Sequence, residues 1–237
     1  DMSMFSQRSQ ALELMDFPIE NKTEIFQNFR ELVFINTYLG GPSHSFAAIK
    51  KILRNSTSAH IADVGSGAGD FLNYLIQRKA QLPENVSFTG IDLMPESHEF
   101  ALNAFPALSE NASLILKDYR TWLLQEQKPD IIHASLFCHH LTDDQLVEFF
   151  SISAQNVKKA VVVNDLQRHP LAYYSIKWLT QWFSKSRFTK NDAPLSVLRG
   201  FTKSELETLL AKAGVSNYEI KWKWAFRFII IIPAREV

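Results

Sequence analysis

A single cysteine, Cys138, occurs in 237 residues. That excludes an intrachain disulfide framework and a multi-cysteine zinc cluster. A charge of one sign is also missing, since 25 basic and 25 acidic residues cancel. A duplex-binding surface ordinarily shows a basic excess, so no nucleic-acid partner is expected. No apolar run reaches the roughly 20 residues of a membrane span, and no secretory signal opens the chain, so the expectation is a cytoplasmic protein with no membrane span. Glycine is scarce, with eight in the chain. Three of them, Gly65, Gly67 and Gly69, fall within five residues, and a glycine-poor chain that concentrates glycine there has a backbone reason for it.

Apolar residues make up 46% and charged residues 21%, ordinary for a globular chain. A domain of this length removes roughly 70–75% of its unfolded surface from water and needs no metal staple. Residues 1–55 read as a helical cap. Ile25–Phe34 carries apolar residues at helical spacing, Gly40-Gly41-Pro42-Ser43 breaks the pattern, and a second helix is expected over Ser45–Leu53. Phe26, Phe29 and Phe34 are expected to face inward, over a ligand.

From residue 56 to 237 the pattern alternates. Strands are expected at Ala59–Val64, Val86–Ile91, Ser113–Leu116, Asp130–Phe137 and Ala160–Val163, separated by helices, which implies a parallel sheet covered on both faces. Residues 166–200 form an aromatic lid segment in which Tyr174, Trp178 and Trp182 lie four apart on one helical stripe. Thr202, Glu205 and Gly214 mark a capped helix. Tyr218–Trp224 and Phe226–Ile232 lie too close together for a parallel crossover and must pair antiparallel. The later strand reads as a central one, buried on both faces.

The run Asp63-Val64-Gly65-Ser66-Gly67-Ala68-Gly69-Asp70 joins a strand to a helix. Glycines there allow a tight turn and close approach of a ligand. Counted from Gly65, the last position of a G-x-G-x-x-G fingerprint is Asp70, which speaks against a nicotinamide dinucleotide. Asp63 at the strand end would repel a pyrophosphate and suit a cationic, phosphate-free nucleoside, S-adenosyl-L-methionine. Asp92 ends the second strand, 23 residues after Gly69, where an acid accepts from ribose hydroxyls. Leu93 and Met94 are placed to pack on adenine. Asp118, with Tyr119 beside it, is placed to accept from the adenine amino group.

These residues resemble the first three motifs of the class I S-adenosylmethionine-dependent methyltransferases. The likeness covers about residues 55–237. It implies a Rossmann-like α/β sheet of seven strands in the order 3-2-1-4-5-7-6, with the last strand antiparallel. It also implies S-adenosyl-L-methionine as methyl donor, with S-adenosyl-L-homocysteine as product. Asp63, Gly65, Ser66, Gly67 and Gly69 would meet the methionine portion, Asp92 the ribose and Asp118 the adenine, with Leu93, Tyr119 and Leu136 completing the cofactor pocket. Glu13-Leu14-Met15-Asp16, Asn36 with Gly40-Gly41, and Asp192–Val197 followed by Phe201-Thr202 are similar to small-molecule methyltransferases found beside chalcone-synthase-like polyketide synthases. That narrower likeness implies a small apolar, phenolic or polyketide-like acceptor and O-methylation. C-methylation of a quinone-type acceptor and a non-catalytic nucleoside-binding module are the alternatives, and a monomer or homodimer is expected.

The acceptor should lie beyond the carboxyl ends of strands four and five. Methyl transfer is an in-line displacement at an already activated carbon, so the protein positions the acceptor and removes its proton. His139, His140 and His169 are the candidate bases. No metal is expected, because adjacent residues of an extended chain face opposite ways and make poor joint ligands.

Overall fold

The computed structural model describes residues 2–124 and 127–235. Helix α1 (Lys22–Tyr38) and helix α2 (Gly41–Leu53) precede the sheet. There follow β1 (Ser58–Val64), α3 (Asp70–Gln77), β2 (Asn85–Asp92), α4 (Pro95–Ala104), α5 (Leu108–Asn111), β3 (Ala112–Leu116) and α6 (Tyr119–Leu123). The chain continues through β4 (Ile131–Ser135), α7 (Asp143–Gln155), β5 (Ala160–Leu166), α8 (Pro170–Phe183), α9 (Arg187–Arg199), α10 (Lys203–Lys212), β6 (Glu219–Lys223) and β7 (Arg227–Pro233). The strands lie in the order β3-β2-β1-β4-β5-β7-β6. All neighbours pair parallel except β7, which runs antiparallel to both β5 and β6. This is the expected seven-stranded sheet.

Period-two alternation divides the strand residues between two cores. Ile61, Phe88, Ile131, Val162 and Ile229 face α2 and α3, and meet Ile49, Leu53, Leu72 and Leu75. Ala62, Ile91, Ile132, Val161 and Ile230 face the other way and meet Phe149, Phe150, Leu206 and Leu210. β7 is buried on both faces, as a strand between two others must be. The Thr202–Glu205 capping box that opens α10 is formed, and Gly214 takes the left-handed conformation (φ 69°) beyond its end.

Several expectations are corrected. Helix α2 begins at Gly41 rather than Ser45: Gly40 (φ 73°) makes the turn and Pro42 occupies the first helical turn, where a missing N–H costs nothing. β4 stops at Ser135, because Leu136 turns left-handed (φ 51°). Phe29 is buried and Phe26 packs on Phe100, but Phe34 is exposed and pairs with Tyr38. Residues 166–200 fold as two helices, α8 and α9, and the Tyr174–Trp178–Trp182 stripe points outward rather than onto the sheet or a ligand.

Phe149 is fully buried, and its ring braces Phe137 and Tyr119 below the end of β4. Phe149→Ala should lower unfolding stability by about 3–5 kcal/mol, read by urea denaturation, since the site cannot collapse around a lost ring.

Candidate active site

The glycine loop takes left-handed backbone at Gly65 (φ 66°), Gly67 (φ 51°) and Gly69 (φ 76°). The first and third are also packed tightly: a Cβ on Gly65 would stand 2.4 Å from Phe137, and one on Gly69 2.7 Å from Ala101. Gly67 differs, since the nearest atom to its Cβ position is 3.8 Å away. Open space thus lies over Gly67, bounded by a bare backbone. Its N–H donates to Asp92 Oδ2 at 2.8 Å, and Asp92 Oδ1 accepts from the Met94 N–H at 2.9 Å. Asp92 ties loop to strand end and keeps lone pairs free, because each carboxylate oxygen accepts more than one bond.

Beyond Gly67 and Asp92 opens a cavity of about 490 Å³. It runs between α1, α8 and α9 to Leu136, His139 and His140. Its walls are mostly apolar, with Phe29, Leu32, Ile35, Ile176 and Leu179 among them. Glu13, Asp16, Asp92 and Asp192 supply carboxylates, against one arginine, Arg227. Asn28 adds a buried Nδ2 donor that has no partner among the described residues.

After Leu136 the chain enters a 3-10 turn, Cys138–His140, that drops His139 into the interior. His139 Nδ1 lies 2.7 Å from Asp165 Oδ1, near the end of β5. Its backbone N–H donates to Asp165 Oδ2 at 3.3 Å. On the opposite side Nε2 faces Glu13 Oε1 at 3.6 Å, and Glu13 accepts the Ser196 hydroxyl at 2.6 Å. Burial alone would lower the His139 pKa, but the Asp165 and Glu13 carboxylates outweigh it and push it up to about 9. Burial likewise works to raise Asp165 and Glu13, and the histidines hold both below the usual carboxylate range.

Glu13 reaches the site because the N-terminal segment is strapped across it. Asp192 accepts the N–H groups of Leu14 (2.7 Å) and Met15 (3.1 Å). Arg199 donates to the carbonyls of His139 (3.1 Å) and His140 (2.8 Å) and to Asp16 (2.9 Å). Arg8 donates to the His139 carbonyl at 3.2 Å and pairs with Asp143 at 2.7 Å.

Residues 61–160 match a family model described as a methyltransferase domain. No curated protein matches the chain. Among solved structures, the plantazolicin methyltransferase BpumL is similar with a TM-score of 0.66 and 18% identity, over 99% of this chain and 93% of that one. A SAM-dependent methyltransferase from Aquifex aeolicus gives 0.62 and 15%, over 92% and 100% of the two chains. Human N-acetylserotonin methyltransferase gives 0.62 and 20%, over 95% of this chain, which spans 62% of the human one. The likeness to a methyltransferase domain thus spans residues 61–160, and the solved structures share the fold.

Of the expected site residues, Gly67, Asp92, Leu136, His139 and His140 line this one cavity, while Gly65, Ser66 and Gly69 do not. Other expected residues do not reach the cavity. Asp63 is 3% exposed and lies beneath the loop, 2.7 Å from His133 Nδ1, its register partner on β4. Burial raises its pKa despite that histidine. The anionic character of the cavity therefore comes from Glu13, Asp16, Asp92 and Asp192 instead. Asp118 caps α6 and is bound to Arg120 Nη2 at 2.6 Å. Tyr119 packs on Phe137 and Phe149, Leu93 is exposed, and the Ser66 hydroxyl is buried without a partner. His169 caps α8, accepting the Leu171 N–H at 3.1 Å, and stacks on Phe226.

Glu13, His139 and His140 each offer a ligand atom, all within 4.8 Å of one another. The two histidines face the same way, not opposite ways, because the segment is a 3-10 turn rather than extended chain; their ring centroids lie 4.2 Å apart with the planes tilted by 34°. An imidazolium between carboxylates accounts for every contact in this cluster. Glu13 and Asp16 were quoted only as part of a similar string, and Asn28 was not singled out. Non-local packing brings all three here.

A raised histidine pKa stabilises the fold fully below the unfolded value near 6.5, and that contribution is lost as pH rises through about 9. An NMR titration should place the His139 midpoint near 9, and Asp165→Asn should move it down toward the ordinary histidine range. An unmoved midpoint would contradict the assignment.

Proposed function

We propose that the chain transfers a methyl group from S-adenosyl-L-methionine to a hydroxyl oxygen of a small, largely apolar acceptor, phenolic or polyketide-like. One observation carries this reading. A single cavity joins an open glycine backbone and a ribose-type acid, Gly67 and Asp92, to a buried histidine held between two carboxylates. The donor chemistry fits these residues. Space over Gly67 admits a ligand against the backbone, Asp92 retains acceptor capacity for a diol, and four carboxylates suit a cationic group. When bound, the donor supplies an electrophilic methyl carbon on a sulfonium.

The chain's own residues then position and deprotonate the acceptor. With Nδ1–H directed at Asp165, the neutral imidazole presents Nε2 toward Glu13 and the cavity. Nε2 receives the acceptor proton, and the imidazolium that forms is stabilised by both carboxylates. Gly67 and Asp92 would hold the donor, which would supply its methyl group to the acceptor oxygen and depart as S-adenosyl-L-homocysteine. Leu32, Ile35, Ile176 and Leu179 exclude water and favour an apolar body on the acceptor.

His139→Ala should lower kcat by about 10²–10⁴-fold with a phenolic acceptor, while calorimetry shows unchanged donor affinity. Asp92→Ala should weaken donor binding instead. Full turnover by His139→Ala, or undiminished donor binding by Asp92→Ala, would overturn the respective assignment.

A further inference from the structure

Four of the five tryptophans are exposed: Trp178 by 63%, Trp182 by 71%, Trp222 by 50% and Trp224 by 59%, while Trp122 alone is buried. Tryptophan is large and rarely left in water without reason. Two sit on helix α8, Trp222 lies near the end of β6 and Trp224 opens the β6–β7 turn; Ile176, Leu179 and Trp224 line the cavity.

Helix α8 is apolar on two sides. Ala172, Ile176 and Leu179 line the cavity, and Leu171, Tyr174, Trp178 and Trp182 face solvent. An apolar side that no core covers belongs against a partner or lipid, and α8 has a core on one side only. Phe183 ends the helix and is also exposed. The charge around this face has one sign. No acidic residue occurs between Asp165 and Asp192, whereas Lys177 and Lys185 are exposed there and Lys223 lies between Trp222 and Trp224. None of these three lysines makes an ion pair among the described residues. The nearby carboxylates are engaged elsewhere. Glu31 accepts the N–H groups of Lys185 (2.8 Å) and Ser186 (3.1 Å), and Glu24 pairs with Arg187 at 2.9 Å.

We propose that α8 and the β6–β7 turn dock on an anionic phospholipid bilayer, with the aromatic side chains at the headgroup level and the lysines on the lipid phosphates. Tryptophan and tyrosine prefer that interface, and unpaired lysines add attraction to anionic lipid. No helix among the described residues is long and apolar enough to cross a membrane, so the contact is peripheral. Docking would bring the cavity wall against the source of an apolar acceptor. The inference rests on the proposed function only for what the bilayer delivers.

The test is flotation of the full chain with vesicles, in the absence of methyl donor and acceptor. The chain should float with phosphatidylcholine–phosphatidylglycerol vesicles at low salt, with a blue shift of tryptophan emission. It should stay largely behind with phosphatidylcholine alone or at high salt. Trp178→Ala with Trp182→Ala should weaken partitioning about tenfold or more, at an unchanged melting temperature because both side chains are mostly exposed. Lys177→Glu with Lys185→Glu should abolish the preference for anionic lipid. Absence of flotation, flotation indifferent to both double variants, or a concentration-dependent dimer that the tryptophan variant dissociates would each overturn the proposal, the last by assigning the face to a second copy. Flotation without turnover would count against the methyl-transfer reading alone, and turnover without flotation against this one alone.

Discussion

The buried contact of His139 with Asp165 and Glu13 organises the rest of this molecule. A charged imidazole cannot stay buried without anionic partners, and two isolated carboxylates cannot stay buried without a cation. Each member therefore requires the others in place. Asp165 comes from β5, His139 from the turn after β4, and Glu13 from the N-terminal segment about as far from both in sequence as the chain allows. Meeting this electrostatic demand draws the segment from Arg8 to Asp16 across the cavity, where Arg8, Arg199 and Asp192 fasten it. The same strap closes one wall of the cavity, so a single ion-pair cluster both shapes the pocket and sets its proton affinity.

A second constraint acts at the opposite end of the cavity. The loop after β1 must turn sharply over the end of β2, and Gly65 N–H and Ser66 N–H both donate to the Ile91 carbonyl to achieve it. Phe137 then packs where a Gly65 side chain would stand, which couples the glycine loop to the turn that carries His139. Phe149 braces Phe137 from below. The glycine-loop end and the His139 end of the cavity are thus joined through packed rings, and the spacing between them is fixed by the core.

The sheet order, the antiparallel end strand and the capped helix at Thr202 were legible in the sequence, because alternation, spacing and capping chemistry are local signals. Asp92 and the glycines were legible for the same reason. Asp63 was misread as a cavity wall: its position at a strand end was correct, but the register that sets it opposite His133 is a property of the sheet. Asp118 was read as a base contact and instead caps a helix, an option its sequence position always allowed. Glu13 could be assigned no role in the site from spacing alone, since its meeting with His139 depends on packing across more than a hundred residues. The tryptophan stripe on α8 showed its period but not its direction, because a helix with two apolar faces gives no cue to which one is buried.

The most direct check on this account is the pH dependence of kcat in the wild type and in Glu13→Gln. Proton acceptance by His139 predicts activity that rises with pH to an inflection near 9, and an inflection displaced to lower pH once the Glu13 charge is removed, with Asp165, His140, Arg8 and Arg199 left in place. A profile without that inflection, or one that Glu13→Gln leaves where it was, would contradict it.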